Sequence, residues 1–124
     1  SIAQRLVRLT YPSSLHVADD QASLRAMTDK QFADLPPEYK AKLALDGQFT
    51  DALPSPECPS GTKGRKAVME MYPIDKDVQA LILQKPNDAQ VYDLIRKKGF
   101  VTMRENAILK CLKGEIPFQE IYNL

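Results

Sequence analysis

The sequence predicts a mainly α fold with a short two-stranded β element. Its second half carries three amphipathic stripes at helical spacing, each opened by a capping residue. Two short runs, near 2–10 and 66–72, alternate as strands do. The stretch between them, rich in proline and turn residues, reads as a small helical excursion with a thin core.

In chain order, Ile2-Ala3-Gln4-Arg5-Leu6-Val7-Arg8-Leu9-Thr10 places Arg5, Val7 and Leu9 on one strand face and Leu6 and Arg8 on the other. Ile2 and Leu6 also fit a helical turn, so the segment is expected to be a helix end passing into a strand. Tyr11-Pro12-Ser13-Ser14 breaks it. A helix is expected from Asp19 or Asp20 through Met27, and Thr28 with Gln31 has the spacing of a capping box for another start. Pro36-Pro37 suits a further helix start, with Tyr39, Leu43 and Leu45 as its apolar side and Gly47 as its end. The run from Leu53 to Gly61 is an irregular connection.

The second strand, over 66–72, sets Ala67, Met69 and Met71 against Val68, Glu70 and Tyr72 and ends at Pro73. Asp75 caps a helix carrying Val78, Leu81 and Ile82. Asn87 and Gln90 open the next, which buries Val91, Leu94 and Ile95 and stops at Gly99. Thr102 and Glu105 open a third, with Ile108, Leu109 and Leu112 before Gly114. A last turn after Pro117 presents Phe118, Ile121 and Tyr122. Helices this short are not stable alone and must pack together.

Composition narrows the function. A formal charge of +1 removes the usual argument for nucleic acid or anionic membrane as the main partner. Arg96-Lys97-Lys98 is the best basic patch, and a solvated helix end is the preferred reading of it. No apolar run approaches the roughly 20 residues of a membrane helix. Cys58 and Cys111 do not form a secreted disulfide framework, so the expected compartment is cytoplasmic. The opening Ser1-Ile2-Ala3 suggests an excised fragment.

Chemistry-bearing motifs are sparse. Gly61-Thr62-Lys63-Gly64-Arg65-Lys66 lacks the four-residue glycine spacing and the Lys-Ser/Thr of a phosphate loop, which argues against autonomous nucleotide binding. His16 has no partners to orient it and reads as a surface residue. Cys111 reads as a packing residue. Two cysteines and one histidine, widely dispersed, do not meet the needs of structural zinc. Glu105, Glu115 and Glu120 have cap or solvent explanations. Lys63 and Arg65, beside two glycines at a strand entrance, suit either an anion on a neighbouring surface or a solvated turn.

Gln4-Arg5-Leu6-Val7-Arg8, then Lys63-Gly64-Arg65 with Glu70, then Gly99-Phe100-Val101-Thr102-Met103, then Lys113-Gly114-Glu115-Ile116-Pro117-Phe118-Gln119-Glu120-Ile121, occur in a distinctive order. In these pieces the chain resembles the carboxyl-terminal end of the secretion ATPases of type II secretion and type IV pilus assembly. About half the chain matches well and the rest by position.

The resemblance implies a C-terminal helical subdomain of a RecA-like motor plus a small helical insertion. Residues 1–10 would end the motor core as a strand, 11–62 would be an insertion where the family carries a zinc-binding domain, and 63–124 would be a strand plus the helical subdomain. It implies a homohexamer whose nucleotide is ATP with Mg, held by motifs absent here, so that this piece would complete the motor and its subunit contacts without hydrolysing ATP alone. Arg65, and more weakly Lys63, would reach the nucleotide of a neighbouring subunit. Partners would be the other subunits and inner-membrane platform proteins, with no nucleic acid and no membrane insertion. The zinc of the family rests on two Cys-x-x-Cys pairs, whereas Tyr11-Pro12-Ser13-Ser14 stands at the first and Cys58 is at most a remnant of the second. No metal is therefore expected, with packing of Leu, Phe and Tyr in its place. The alternatives are a stand-alone helical protein–protein interaction module and, disfavoured by the charge, a small nucleic-acid-binding helical domain.

Overall fold

A computed structural model describes residues 2–71 and 75–124. Strand β1 (Ile2–Thr10) pairs antiparallel with β4 (Thr62–Met71), so the two ends of a long intervening segment meet in one ribbon. Residues 2–10 are strand throughout, not a helix end. The alternation of Arg5, Val7 and Leu9 prevails because β4 supplies a partner along nearly its whole length. Val7 and Val68 turn into the core, while Leu6 and Met69 are 63% and 43% exposed. The buried face of β4 is thus that of Val68; the expected Tyr72 and Pro73 lie outside the described residues.

Between these strands the chain is less helical than its sequence suggests. A single 3-10 turn (Pro12–Ser14) leads to β2 (Leu15–Val17), which pairs antiparallel with β3 (Thr50–Ala52) in a second ribbon. Three-residue strands are too short to show an alternation, and their pairing is imposed by the surrounding fold. Helix α1 (Gln21–Gln31) is capped by Asp20, whose carboxylate accepts from Ser23 N at 3.1 Å. Thr28 starts no new helix: its hydroxyl donates to Leu24 O within α1. Helix α2 (Pro37–Lys40) is one turn and ends well before Gly47.

The core of this segment is not thin. Leu24, Phe32, Leu35 and Phe49 are buried in the same cluster as Ala107, Ile108, Cys111, Ile116 and Ile121. The rest of the chain follows its local signals. Asp75 caps α3 (Lys76–Ile82), and complete capping boxes open α4 (Asp88–Lys97) at Asn87/Gln90 and α5 (Met103–Leu112) at Thr102/Glu105. The single turn α6 (Gln119–Tyr122) closes the chain. Gly99, just past α4, has φ +92°, and an added Cβ would lie 2.5 Å from the Tyr39 ring, so both its conformation and its contact require glycine.

Candidate functional site

The β1–β4 ribbon distributes its side chains by register. Directly opposite residues share a face, and Arg8 lies opposite Arg65, Leu6 opposite Ala67, and Gln4 opposite Met69. This set faces outward. The other set carries Val7 and Val68 into the core; of its polar members Arg5 is exposed, and Lys66 Nζ donates to Glu115 Oε1 at 3.0 Å. Glu70 Oε2 accepts from Met103 N at 3.1 Å, placing a carboxylate at the amino-terminal end of α5. Two of the sequence pieces, the strand after Lys63 and the Gly99–Met103 turn, are thereby joined.

Arg65 and Lys63 are both exposed, and among the described residues neither forms an ion pair. Two guanidiniums directly opposite on a strand pair repel one another, a cost that a bound anion would remove. Arg8 is held only at a distance: its Nε is 4.0 Å from Glu120 Oε1, and its side chain is 73% exposed. The backbone N–H of Arg8 donates to the same Glu120 oxygen at 2.8 Å, so the buried carboxylate pins α6 to β1. Sequence reasoning grouped Glu120 with solvent or cap residues and did not associate Arg8 with Arg65. The signal for the latter was available, since an antiparallel pairing of the two basic segments sets arginine against arginine.

The Gly61–Lys66 segment does not fit a phosphate loop in space any more than in spacing. From Thr62 it runs straight into β4, so no helix amino terminus follows to face a phosphate. Among the described residues no group of three His, Cys, Asp or Glu side chains is arranged to hold a metal.

A second polar centre was misread from sequence. Arg96 is not on a solvated helix end but is 2% exposed, against a fully buried Glu105. Its Nη1 donates to Glu105 Oε1 at 2.6 Å and to Phe100 O at 2.7 Å, and its Nη2 to Glu105 Oε2 at 2.8 Å and Gln31 O at 3.3 Å. Nε donates to Asp34 Oδ1 at 3.0 Å, so every N–H of the fork is engaged. Glu105 is equally satisfied, accepting also from Thr102 N and from Gln31 Nε2, both at 2.9 Å. Burial opposes the charge of Arg96, but its bonds to Glu105 and Asp34 outweigh that and raise its pKa. Tyr92 donates to Asp34 Oδ2 at 2.8 Å; burial, then that bond, push its phenol up to about 12. Lys98 bridges Asp75 at 2.8 Å and Asp77 at 2.9 Å. This centre ties α1 to α4 and α5, and the whole Arg96 guanidinium is spent within it.

His16 is exposed as expected, and Cys111 is buried with its thiol against Thr50, burial raising its pKa. Among the described residues no helix is long and apolar enough to cross a membrane.

A family model described as Type II/IV secretion system protein matches residues 1–123. Type II secretion system protein E of Xanthomonas campestris is 25% identical over 122 residues, covering 97% of this chain and 20% of that protein. The type IV pilus assembly ATPase PilB of Thermus thermophilus is 29% identical over 62 residues, covering 50% of this chain and 7% of that protein. PilB of Pseudomonas aeruginosa is 28% identical over 64 residues, or 52% of this chain and 11% of that protein. The chain thus spans at most a fifth of the length of these curated relatives.

Proposed function

Since the chain belongs to the type II/IV secretion system protein family, we propose that it is the carboxyl-terminal part of a hexameric ATPase that powers pilus assembly or protein secretion. Two of its relatives carry the name pilus assembly ATPase and the third that of a secretion system protein. In this reading 1–10 ends the motor core, 11–62 is an insertion, and 63–124 forms the helical subdomain of a RecA-like motor. The part works in the cytoplasm, held at the inner membrane through platform proteins. It does not hydrolyse ATP by itself, because its only glycine-rich basic loop lacks the spacing and the helix that a phosphate cradle requires.

The role of this part at the catalytic centre is supplied in trans. Arg65 contacts the ATP of a neighbouring subunit, with Lys63 beside it, and stabilises charge developing on the phosphate oxygens. The observation that carries this is the outward guanidinium of Arg65, without an ion pair among the described residues, raised on a strand rather than a loose turn and backed by Arg8 across the ribbon. The test is Arg65→Ala in the full-length protein, with assembly verified by light scattering. Turnover is expected to fall about tenfold or more while the oligomer persists. Unchanged turnover in an assembled oligomer would remove the role, and an oligomer that never forms in the wild type would favour the interaction-module reading.

A further inference from the structure

Two tight turns face each other where β1 and β4 leave the ribbon. In one, Ser14 N donates to Tyr11 O at 2.8 Å; in the other, Cys58 N donates to Ser55 O at 3.1 Å and Ser55 N to Cys58 O at 3.0 Å. Each turn has the x-x spacing of a zinc-binding knuckle, and the backbone also knits them together. Tyr11 N donates to Gly61 O at 3.1 Å, and Gly61 N to Cys58 O at 3.0 Å.

The donor set does not fit zinc. The four turn positions are Tyr11, Ser14, Ser55 and Cys58, which offer one thiol where structural zinc requires four Cys or His ligands. That thiol is already turned to backbone, donating to Thr62 O at 3.4 Å. Between the turns lies a chain of hydroxyls. Ser14 Oγ donates to Ser55 Oγ at 2.9 Å, and Ser55 Oγ also accepts from Cys58 N at 3.2 Å. Ser13 Oγ donates to Glu57 Oε2 at 3.0 Å, which spends its one proton. The remaining contact, Ser13 to Ser55 at 3.0 Å, therefore runs from the Ser55 hydroxyl to Ser13. Every hydroxyl proton has an acceptor and the chain ends on a carboxylate. Ser14 is fully buried and Cys58 is 6% exposed, so water does not compete at the inner end.

We infer that this hydroxyl chain, centred on Ser55, is a metal-free latch that closes residues 14–55 into a loop by doing with hydrogen bonds what a zinc ion would do between two cysteine pairs. Beside the backbone bonds between the turns, the side-chain atoms that join them are serine oxygens. A latch of this kind works at the same strength under chelating conditions.

Three measurements on the full-length protein test it. Metal content by elemental mass spectrometry is expected to show no stoichiometric zinc, and a chelator is expected to leave the unfolding temperature unchanged. Hydrogen exchange over 11–17 and 53–62 is expected to accelerate about tenfold in Ser55→Ala, from loss of the shared acceptor, with a smaller increase in Ser13→Ala. The triple variant Tyr11→Cys/Ser14→Cys/Ser55→Cys, which joins three thiols to Cys58, is expected to take up one zinc per chain and to become chelator-sensitive. Stoichiometric zinc in the wild type, or exchange unaffected by Ser55→Ala, would overturn the latch. These two readings decide the matter even where the triple variant does not fold.

Discussion

Removing the charge from one side of the Arg96–Glu105 pair should be among the most destabilising single changes available in this chain. Glu105 is fully buried and Arg96 nearly so, and the two meet through parallel bonds of 2.6 and 2.8 Å. In Arg96→Met the carboxylate keeps Thr102 N and Gln31 but loses its counter-charge. Breaking a buried pair from one side costs about 3–5 kcal/mol. With an unfolding entropy near 2.1 cal/mol/K per residue, 124 residues give about 4 °C per kcal/mol, so the midpoint should fall by about 12–20 °C. Adding Glu105→Gln to Arg96→Met neutralises the stranded charge while keeping a side chain that can complete the capping box. The double variant should therefore be more stable than Arg96→Met alone. Thermal and urea unfolding of the wild type, both single variants and the double variant give the coupling energy, expected at about 2–3 kcal/mol. A coupling below about 0.5 kcal/mol would refute the reasoning, because it would mean the two charges do not depend on each other.

Gly99→Ala should cost at least about 1–2 kcal/mol from the left-handed backbone alone, and more because the new methyl would meet the Tyr39 ring at 2.5 Å. Its cost should shrink in a Tyr39→Ala background, and equal costs in both backgrounds would show the ring contact to be immaterial. Folding raises the Tyr92 phenol from 10.0 to about 12, so its contribution to stability is complete below pH 10 and is lost as pH rises through about 12. Absorbance at alkaline pH should show a late-titrating component that Tyr92→Phe removes; a spectrum unchanged in that variant would contradict the Asp34 bond. On the acid side, burial raises and the Tyr92 and Arg96 bonds more strongly lower the Asp34 pKa below 3.8. Its contribution is thus complete above pH 3.8 and lost as pH falls through the depressed value, a loss that Asp34→Asn should abolish in an acid titration of stability.

What could be read from sequence was what depends on neighbours in the chain. Asn87/Gln90, Thr102/Glu105 and Asp75 are caps whose donors and acceptors lie three residues apart, so α3, α4 and α5 start where their sequence says. The long strands were legible in part by their alternation: β1 was expected to open as a helix end, and β4 begins at Thr62, four residues before the expected start. What was missed depends on distant partners. Arg96 carries every local mark of a solvated helix end, and it is Gln31 from α1, Asp34 from the turn after it and Glu105 from α5 that engage it in the interior. The β2–β3 ribbon is held by residues such as Gln21, which bonds Phe49 through both its amide atoms, and no period in a three-residue strand announces that. At the candidate site, Lys63 and Arg65 were legible as cations at a strand entrance. Arg8 became relevant only once the register set it opposite Arg65.

The most direct test of the proposed role is to mix two defective subunits of the full-length protein. One has its own nucleotide site disabled and keeps Arg65; the other keeps its nucleotide site and carries Arg65→Ala. If Arg65 serves a neighbour's ATP, the mixed oligomer regains turnover that neither parent has alone, peaking near equal proportions. A mixture no more active than the sum of its parents would contradict a contact in trans.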